Sequence, residues 1–151
     1  MAVLQTDRDG RYRYTAAGSM SRTLRFAYAG SPLVLPAQRA IRMHVPARTS
    51  LRVNRSRALN GQAVTFLGRL RTRPAPPAGK LVELQARLSD RWQTFRTSRT
   101  DGAGRWAIRY RFKRKRGLQR FRFRARVPSE AGYPFAAGGS GTLTVHVRGQ
   151  S

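Results

Sequence analysis

Apolar and polar side chains alternate one by one in short runs along most of the chain, the period of an extended strand that buries one face. Val64, Phe66, Gly68 and Leu70 alternate with Thr65, Leu67 and Arg69, just after the turn signal Asn60-Gly61. Leu51 and Val53 open this set. Val82, Leu84, Ala86 and Leu88 form the next inward face against Glu83, Gln85 and Arg87, and Trp92 and Phe95 sit on the run that follows. Trp106, Ile108, Tyr110 and Phe112 alternate with Arg109, Arg111 and Lys113, and Phe121, Phe123, Ala125 and Val127 alternate with Arg122, Arg124 and Arg126. These two runs are expected to pair as a hairpin with its tip at Lys113 to Gly117. Leu143, Val145 and Val147 close the set after a Gly-rich loop, and the Pro-rich stretch Arg73 to Gly79 is expected to interrupt the sheet. Helical spacing is nowhere sustained, and the many Gly and Pro positions would break helices. The pattern predicts an all-β antiparallel sandwich around Val64, Phe66, Val82, Leu84, Trp92, Trp106, Ile108, Tyr110, Phe121, Phe123, Val145 and Val147.

The chain also repeats itself. Thr6, Asp7, Gly10, Arg11 and Tyr12 match Thr100, Asp101, Gly104, Arg105 and Trp106, both reading Thr-Asp-x-x-Gly-Arg-aromatic. Downstream, Leu24-Arg25-Phe26 matches Phe121-Arg122-Phe123, and Met43-His44-Val45 matches Val145-His146-Val147. Nothing ahead of Thr6 corresponds to the stretch from Arg48 to Arg99. Residues 1–47 therefore read as the C-terminal half of a module, and 48–151 as a complete one. A three-strand half cannot close a sandwich, so Leu24, Phe26 and Tyr28 must pack on other sequence, on the second module or on another copy of the chain.

Composition narrows the partners without choosing one. Lys and Arg number 31 against 6 Asp and Glu, a formal charge of +25, and only Lys80, Lys113 and Lys115 are lysines. Such an excess attracts any polyanion, whether nucleic acid, anionic lipid or acidic cell-wall polymer. Arginine abundance beside Ala, Gly and Pro also fits the coding bias of a GC-rich genome. With no cysteine, stability rests on packing and hydrogen bonds. No apolar run approaches a transmembrane span, and Met1 to Asp9 lacks the basic start and apolar stretch of a secretory signal, so an export address is expected upstream.

The run Gly79-Lys80-Leu81-Val82-Glu83-Leu84-Gln85, then Trp92 to Phe95, then Thr97 to Trp106 and an aromatic-rich strand, resembles carboxypeptidase regulatory-like, or transthyretin-like, Ig-like β-sandwich modules. The stretch Phe121 to Gly139 is similar to tandem Ig-like repeats of actinobacterial surface or secreted proteins. The resemblance spans about Arg48 to Arg148 and, in half form, Met1 to Val45. It implies a non-catalytic structural, spacer or adhesive repeat of an extracellular or cell-surface protein, beside neighbouring modules of the same protein.

The residues themselves point the same way. In the repeated motif, Asp can accept amide hydrogen bonds two residues on while Gly supplies positive φ, which makes a turn-building device. Asp7 with Asp9 could bind calcium, but Ala103 replaces the second acid in the other copy, so no metal and no cofactor is expected. His44 and His146 fall at equivalent repeat positions without a convincing catalytic partner, and nucleophile-elbow and phosphate-loop motifs are missing. The strongest alternative is electrostatic capture of anionic polymer. Arg109, Arg111, Lys113, Arg120, Arg122, Arg124 and Arg126 are expected to share one face of the hairpin, with Arg114, Lys115 and Arg116 at its tip. Aromatic residues are expected on the opposite face, away from any base they could stack on, which disfavours specific nucleic-acid recognition. The loop Pro128 to Gly141 could meet a partner through Tyr133 and Phe135, or fold them back onto the sandwich edge.

Overall fold

The computed structural model describes residues 1–73, 78–113 and 116–149. These form twelve strands in three sheets, and among the described residues there is no helix. Strands β1 (Arg22–Tyr28) and β2 (Ala37–Met43) make a two-stranded sheet, and β4 (Arg52–Val53), β6 (Ala63–Arg69) and β9 (Arg105–Arg111) make a three-stranded one. The other seven form a strongly curled sheet: β3 (Pro46–Arg48), β5 (Arg57–Leu59), β7 (Leu81–Leu88), β8 (Arg91–Arg99), β10 (Leu118–Val127), β11 (Ala136–Gly139) and β12 (Leu143–Arg148). The Pro-rich interruption falls largely outside the described residues.

β10 is the spine of the curled sheet. Phe123 pairs Leu143 of β12 on one side and Ala86 of β7 on the other, and Arg126 pairs Gly139 of β11 and Glu83 of β7. Two short strands add in parallel, β3 beside β11 and β5 beside β12, so the sheet is mixed and departs from the fully antiparallel expectation. Residues 46–53 change sheets in one extended pass: β3 joins the curled sheet, Thr49 bridges Leu70, and β4 joins β6. Ala47, inside that pass, is buried in the core. The expected Gly-rich loop is β11, and its glycines are required by close approach. A Cβ on Gly138 would overlap the Ala47 backbone, and one on Gly139 the Ala125 carbonyl.

The expected hairpin between β9 and β10 does not form. β9 pairs β6 over seven residues while β10 lies in the other sheet, and the two strands face each other across the core. Their aromatic faces meet there, with the Phe112 and Phe121 rings stacked at 5.3 Å and Phe66 of β6 at 4.7 Å from Phe123. A hairpin would also have kept both apolar faces inward; in the opposed arrangement the two faces pack on each other across the core.

Val64, Phe66, Val82, Leu84, Trp106, Ile108, Phe123, Val145 and Val147 are buried, joined by Leu70, Phe112, Ala125, Val127, Tyr133 and Phe135. Tyr110 and Phe121 are half-buried against this cluster. Trp92, expected in the core, lies on the outer face of the curled sheet beneath Arg124, 4.5 Å from ring centroid to guanidinium. Phe95 is the extra residue of a bulge between the partners of Leu84 and Gln85, and it packs on Tyr110 and Phe123. Trp106 is the best-anchored ring. It is 4% exposed, its Nε1–H donates to Thr49 Oγ1 at 2.8 Å, and Gly68 leaves the room its six-membered ring needs.

The repeated motif builds the same turn twice. At Asp7, Oδ1 accepts from Asp9 N at 3.0 Å and Arg11 N at 2.8 Å, while Asp7 N donates to Arg11 O at 2.8 Å and Gly10 N to Asp7 O at 3.0 Å. At Asp101 the counterparts, Ala103 N, Arg105 N, Arg105 O and Gly104 N, stand at 2.9, 2.8, 2.9 and 3.0 Å. Gly10 and Gly104 carry φ of 74° and 72°, a region that side chains disfavour. The other two matches cannot both hold in the ladders. Leu24 pairs Ile41 whereas Phe121 pairs Val145, so the hairpins align with either their first strands or their second strands matched, two residues apart. Accordingly His146 lies within β12, while His44 follows the end of β2.

The amide bond from Arg105 is the main cause holding the Asp101 carboxyl below its ordinary value of 3.8, with burial opposing it. An unfolded carboxyl takes up its proton at higher pH than this one, so the turn's contribution is complete above the ordinary value and is lost as pH falls through the folded one. Asp101→Asn should melt below the parent at neutral pH, with the gap closing in strongly acidic buffer; a gap independent of pH would contradict this. Trp106→Ala should cost about 3–5 kcal/mol through the cavity it leaves, and an unchanged melting temperature would contradict the core assignment.

Candidate anion-binding surfaces

Because β9 and β10 occupy different sheets, the expected arginine face is divided. Arg109 and Arg111 are exposed on the three-stranded sheet, while Arg120, Arg122, Arg124 and Arg126 lie on the outer side of the curled sheet. The correction follows from the stacked Phe112 and Phe121 rings: aromatics facing inward from both layers send the two arginine rows to opposite sides of the molecule. Lys113 and Arg116 are exposed in the connection, and Arg114 and Lys115 lie outside the described residues.

The four β10 arginines differ in how far the protein itself engages them. Arg126 Nη1 donates to Glu83 Oε2 at 3.0 Å, an ion pair across the β7–β10 ladder. Arg124 Nε donates to Gln85 Oε1 at 2.8 Å and covers Trp92. Gln85 Nε2 donates in turn to Thr94 Oγ1 at 3.0 Å, and the Thr94 hydroxyl donates to Glu83 at 3.3 Å. One carboxylate thus anchors a network over β7, β8 and β10, which offsets like-charge crowding along the arginine row. Arg120 and Arg122 stand outside it. They line an open cleft of about 390 Å³ with Arg87, Ser89 and Asp90, where Arg87 is paired to Asp90 at 3.2 Å.

A larger open cleft, of about 760 Å³, lies where the chain passes between sheets and has Arg48, Arg52 and Arg71 on its rim with Ser50, Ser140 and Thr142. The hydroxyls of Ser50 and Ser140 are already engaged with backbone, at Arg69 N and Gly141 O. The three guanidinium groups make no hydrogen bond or ion pair among the described residues. Sequence reading missed this site because its arginines come from separate segments, β3, β4 and the stretch after β6, brought together by the Thr49–Leu70 bridge, the Arg71 N–H bond to Arg48 O and the β4–β6 ladder.

Acidic groups are spent on structure elsewhere too. Glu130 fastens the loop after β10: its Oε2 accepts from Leu81 N at 3.0 Å, and Arg99 and Lys80 stand at 3.6 and 4.0 Å. The same loop turns Tyr133 and Phe135 inward, 6% and 4% exposed, with the Tyr133 hydroxyl 2.8 Å from Thr72 Oγ1 and Lys80 Nζ over its ring. Burial pushes the Tyr133 phenol above its ordinary range, aided by the Glu130 charge and opposed by the Thr72 bond. These aromatics are part of the core and not an exposed partner surface.

Neither cleft contains a histidine. His146 has Arg120 and Arg57 as its lateral ladder neighbours.

No family model and no curated protein matches the chain. Among solved structures it is similar to the adhesin InvE of Yersinia pseudotuberculosis, at 13% identity and a TM-score of 0.48 over 97% of this chain and 45% of that one. Domains 4 and 5 of the S-layer protein SbsC match at 11% identity and a TM-score of 0.36, over 98% of this chain and 90% of that one. The alkylpurine DNA glycosylase AlkC of Pseudomonas fluorescens, bound to DNA containing an abasic site analog, matches at 12% identity and 0.44 over 69% and 31%. The chain thus spans under half the length of InvE and about a third of AlkC. All three TM-scores lie below 0.5, and these likenesses transfer neither a fold nor a residue role to this chain.

Proposed function

We propose that the chain is a non-catalytic structural or adhesive repeat of an exported, cell-surface protein, an Ig-like or transthyretin-like sandwich preceded by a partial copy of the same module. The observation that carries this reading is the turn built twice with the same four hydrogen bonds at Asp7 and Asp101. Serial copies of one unit suit a spacer or stalk, in which each module contributes length and stiffness while chemistry is left to other parts. The described clefts support the same reading, since their walls combine guanidinium groups with hydroxyls and, in the smaller one, with Asp90, which is paired to Arg87, and neither holds a histidine beside a hydroxyl and an acid. Antibodies raised against the chain should label intact source cells, with external protease removing the signal. Labelling that appears only after lysis would overturn the reading.

A second reading, compatible with the first, is electrostatic adhesion to anionic polymer, and the unpaired trio Arg48, Arg52 and Arg71 favours it. Changing these three to Gln should lower heparin affinity at low salt by about tenfold and flatten its salt dependence. The same change at Arg87, Arg99 and Arg126, each ion-paired within the protein, should cost less. Equal losses, or no binding by the parent, would contradict it.

A further inference from the structure

The β1–β2 sheet exposes a face that the rest of the chain shows how to cover. On it Leu24 stands opposite Ile41, with Phe26 and Tyr28 along the same strand. Leu24 and Phe26 are only half-buried, and Tyr28 and Ile41 are each 47% exposed. In the complete module the matching strands are β10 and β12, where Val145 is fully buried and Phe123 is buried against Phe66 of β6 and Phe112 at the end of β9.

Part of that cover is present in the first copy. Tyr12 and Tyr14, two and four residues past Gly10 as Trp106 and Ile108 are past Gly104, lie 5.3 and 6.0 Å from the Phe26 ring. But β9 is held by a seven-residue ladder to β6, whereas Arg11 to Thr15 belongs to no sheet. The loop differs in the same sense. Leu33, Val34 and Leu35, between β1 and β2, are 95%, 57% and 84% exposed. Tyr133 and Phe135, in the loop that follows β10, are buried because Thr72, Lys80 and the Leu81 amide hold that loop down. Apart from Phe112, whose place Tyr12 and Tyr14 partly take in the first copy, the groups that cover this face and its loop in the second copy, Phe66, Thr72, Lys80 and Leu81, come from the front half of the module.

We infer that the β1–β2 face, with Arg11 to Thr15 and Leu33 to Leu35, is a docking surface for the front half of a like module. The occupant is a segment patterned as Leu51 to Arg99, with inward residues like Val64 and Phe66, whose last strand runs into Thr6 as β8 runs into Thr100. A second copy of this chain is a poor occupant, since its own front half is already engaged, with β6 paired to β9, β7 paired to β10 and Phe66 packed on Phe123. The inference rests on the repeat reading above but not on surface location, which the labelling experiment tests separately.

The experiment joins residues 46–99 of this chain to Thr6 in place of residues 1–5, leaving everything downstream intact, and follows amide exchange by mass spectrometry. Exchange over residues 11–28 should slow by about tenfold or more relative to the parent, and binding of a hydrophobic dye should fall. A graft carrying Val64→Asp and Phe66→Asp in the added segment alone should give neither effect. Unchanged exchange in the intact graft, or equal protection by the Asp graft, overturns the inference. As a check against a graft that fails to fold for covalent reasons, the separate 46–99 segment added in excess to the full chain should give the same protection, and its failure to do so counts against the docking surface.

Discussion

A β-sheet with one apolar face has to be met by a second layer, and that constraint organises this molecule. The meeting occurs through rings: Phe66, Tyr110 and Phe112 from one side, Phe121, Phe123 and Phe95 from the other, at centroid separations between 4.7 and 6.2 Å for the contacts that cross. Aromatic contacts of this kind add to the burial that holds the two layers together. The rest of the arrangement accompanies these ring contacts. β9 and β10 separate into different sheets, the arginines between the rings are sent outward on both sides, and Gly68 gives space to Trp106.

The outward arginines would repel one another if left alone, and the protein answers with very few acids. Glu83 joins three strands through Arg126, Gln85 and Thr94, while Glu130 ties a loop to the start of β7. Asp7 and Asp101 are spent on turns. Among the described residues, positive charge is therefore compensated at Arg124 and Arg126 of β10, and left without an internal partner at Arg120 and Arg122 and, where the chain crosses between sheets, at Arg48, Arg52 and Arg71. Both the crossover and the Arg120–Arg122 end of the β10 row thus present guanidinium groups to the anionic polymer proposed above.

Alternation made the inward residues of β6, β7, β9, β10 and β12 legible, and the Asp-Gly motif announced its turn. Pairing was less visible. Lys113 to Gly117 looked like a hairpin tip because adjacent alternating runs usually pair, but period alone does not say whether two inward faces share a layer or oppose one another. The parallel strands β3 and β5 are three residues each, too short to show a period. Trp92 looked like core because it is large and apolar, yet a guanidinium over its ring satisfies it on the outside. Gly138 and Gly139 read as loop, although their missing side chains are what let β11 lie against Ala47 and Ala125. The arginine cleft had no local signature at all, being assembled by the fold.

The opposed-layer arrangement of β9 and β10 is most directly tested by proton NMR distances. The account predicts cross-peaks between the ring protons of Phe66 and Phe123 and between those of Phe112 and Phe121, with β9 amides showing cross-strand contacts to β6. A ladder of backbone contacts running between residues 105–111 and 118–127 would instead place the two strands in one hairpin and contradict it.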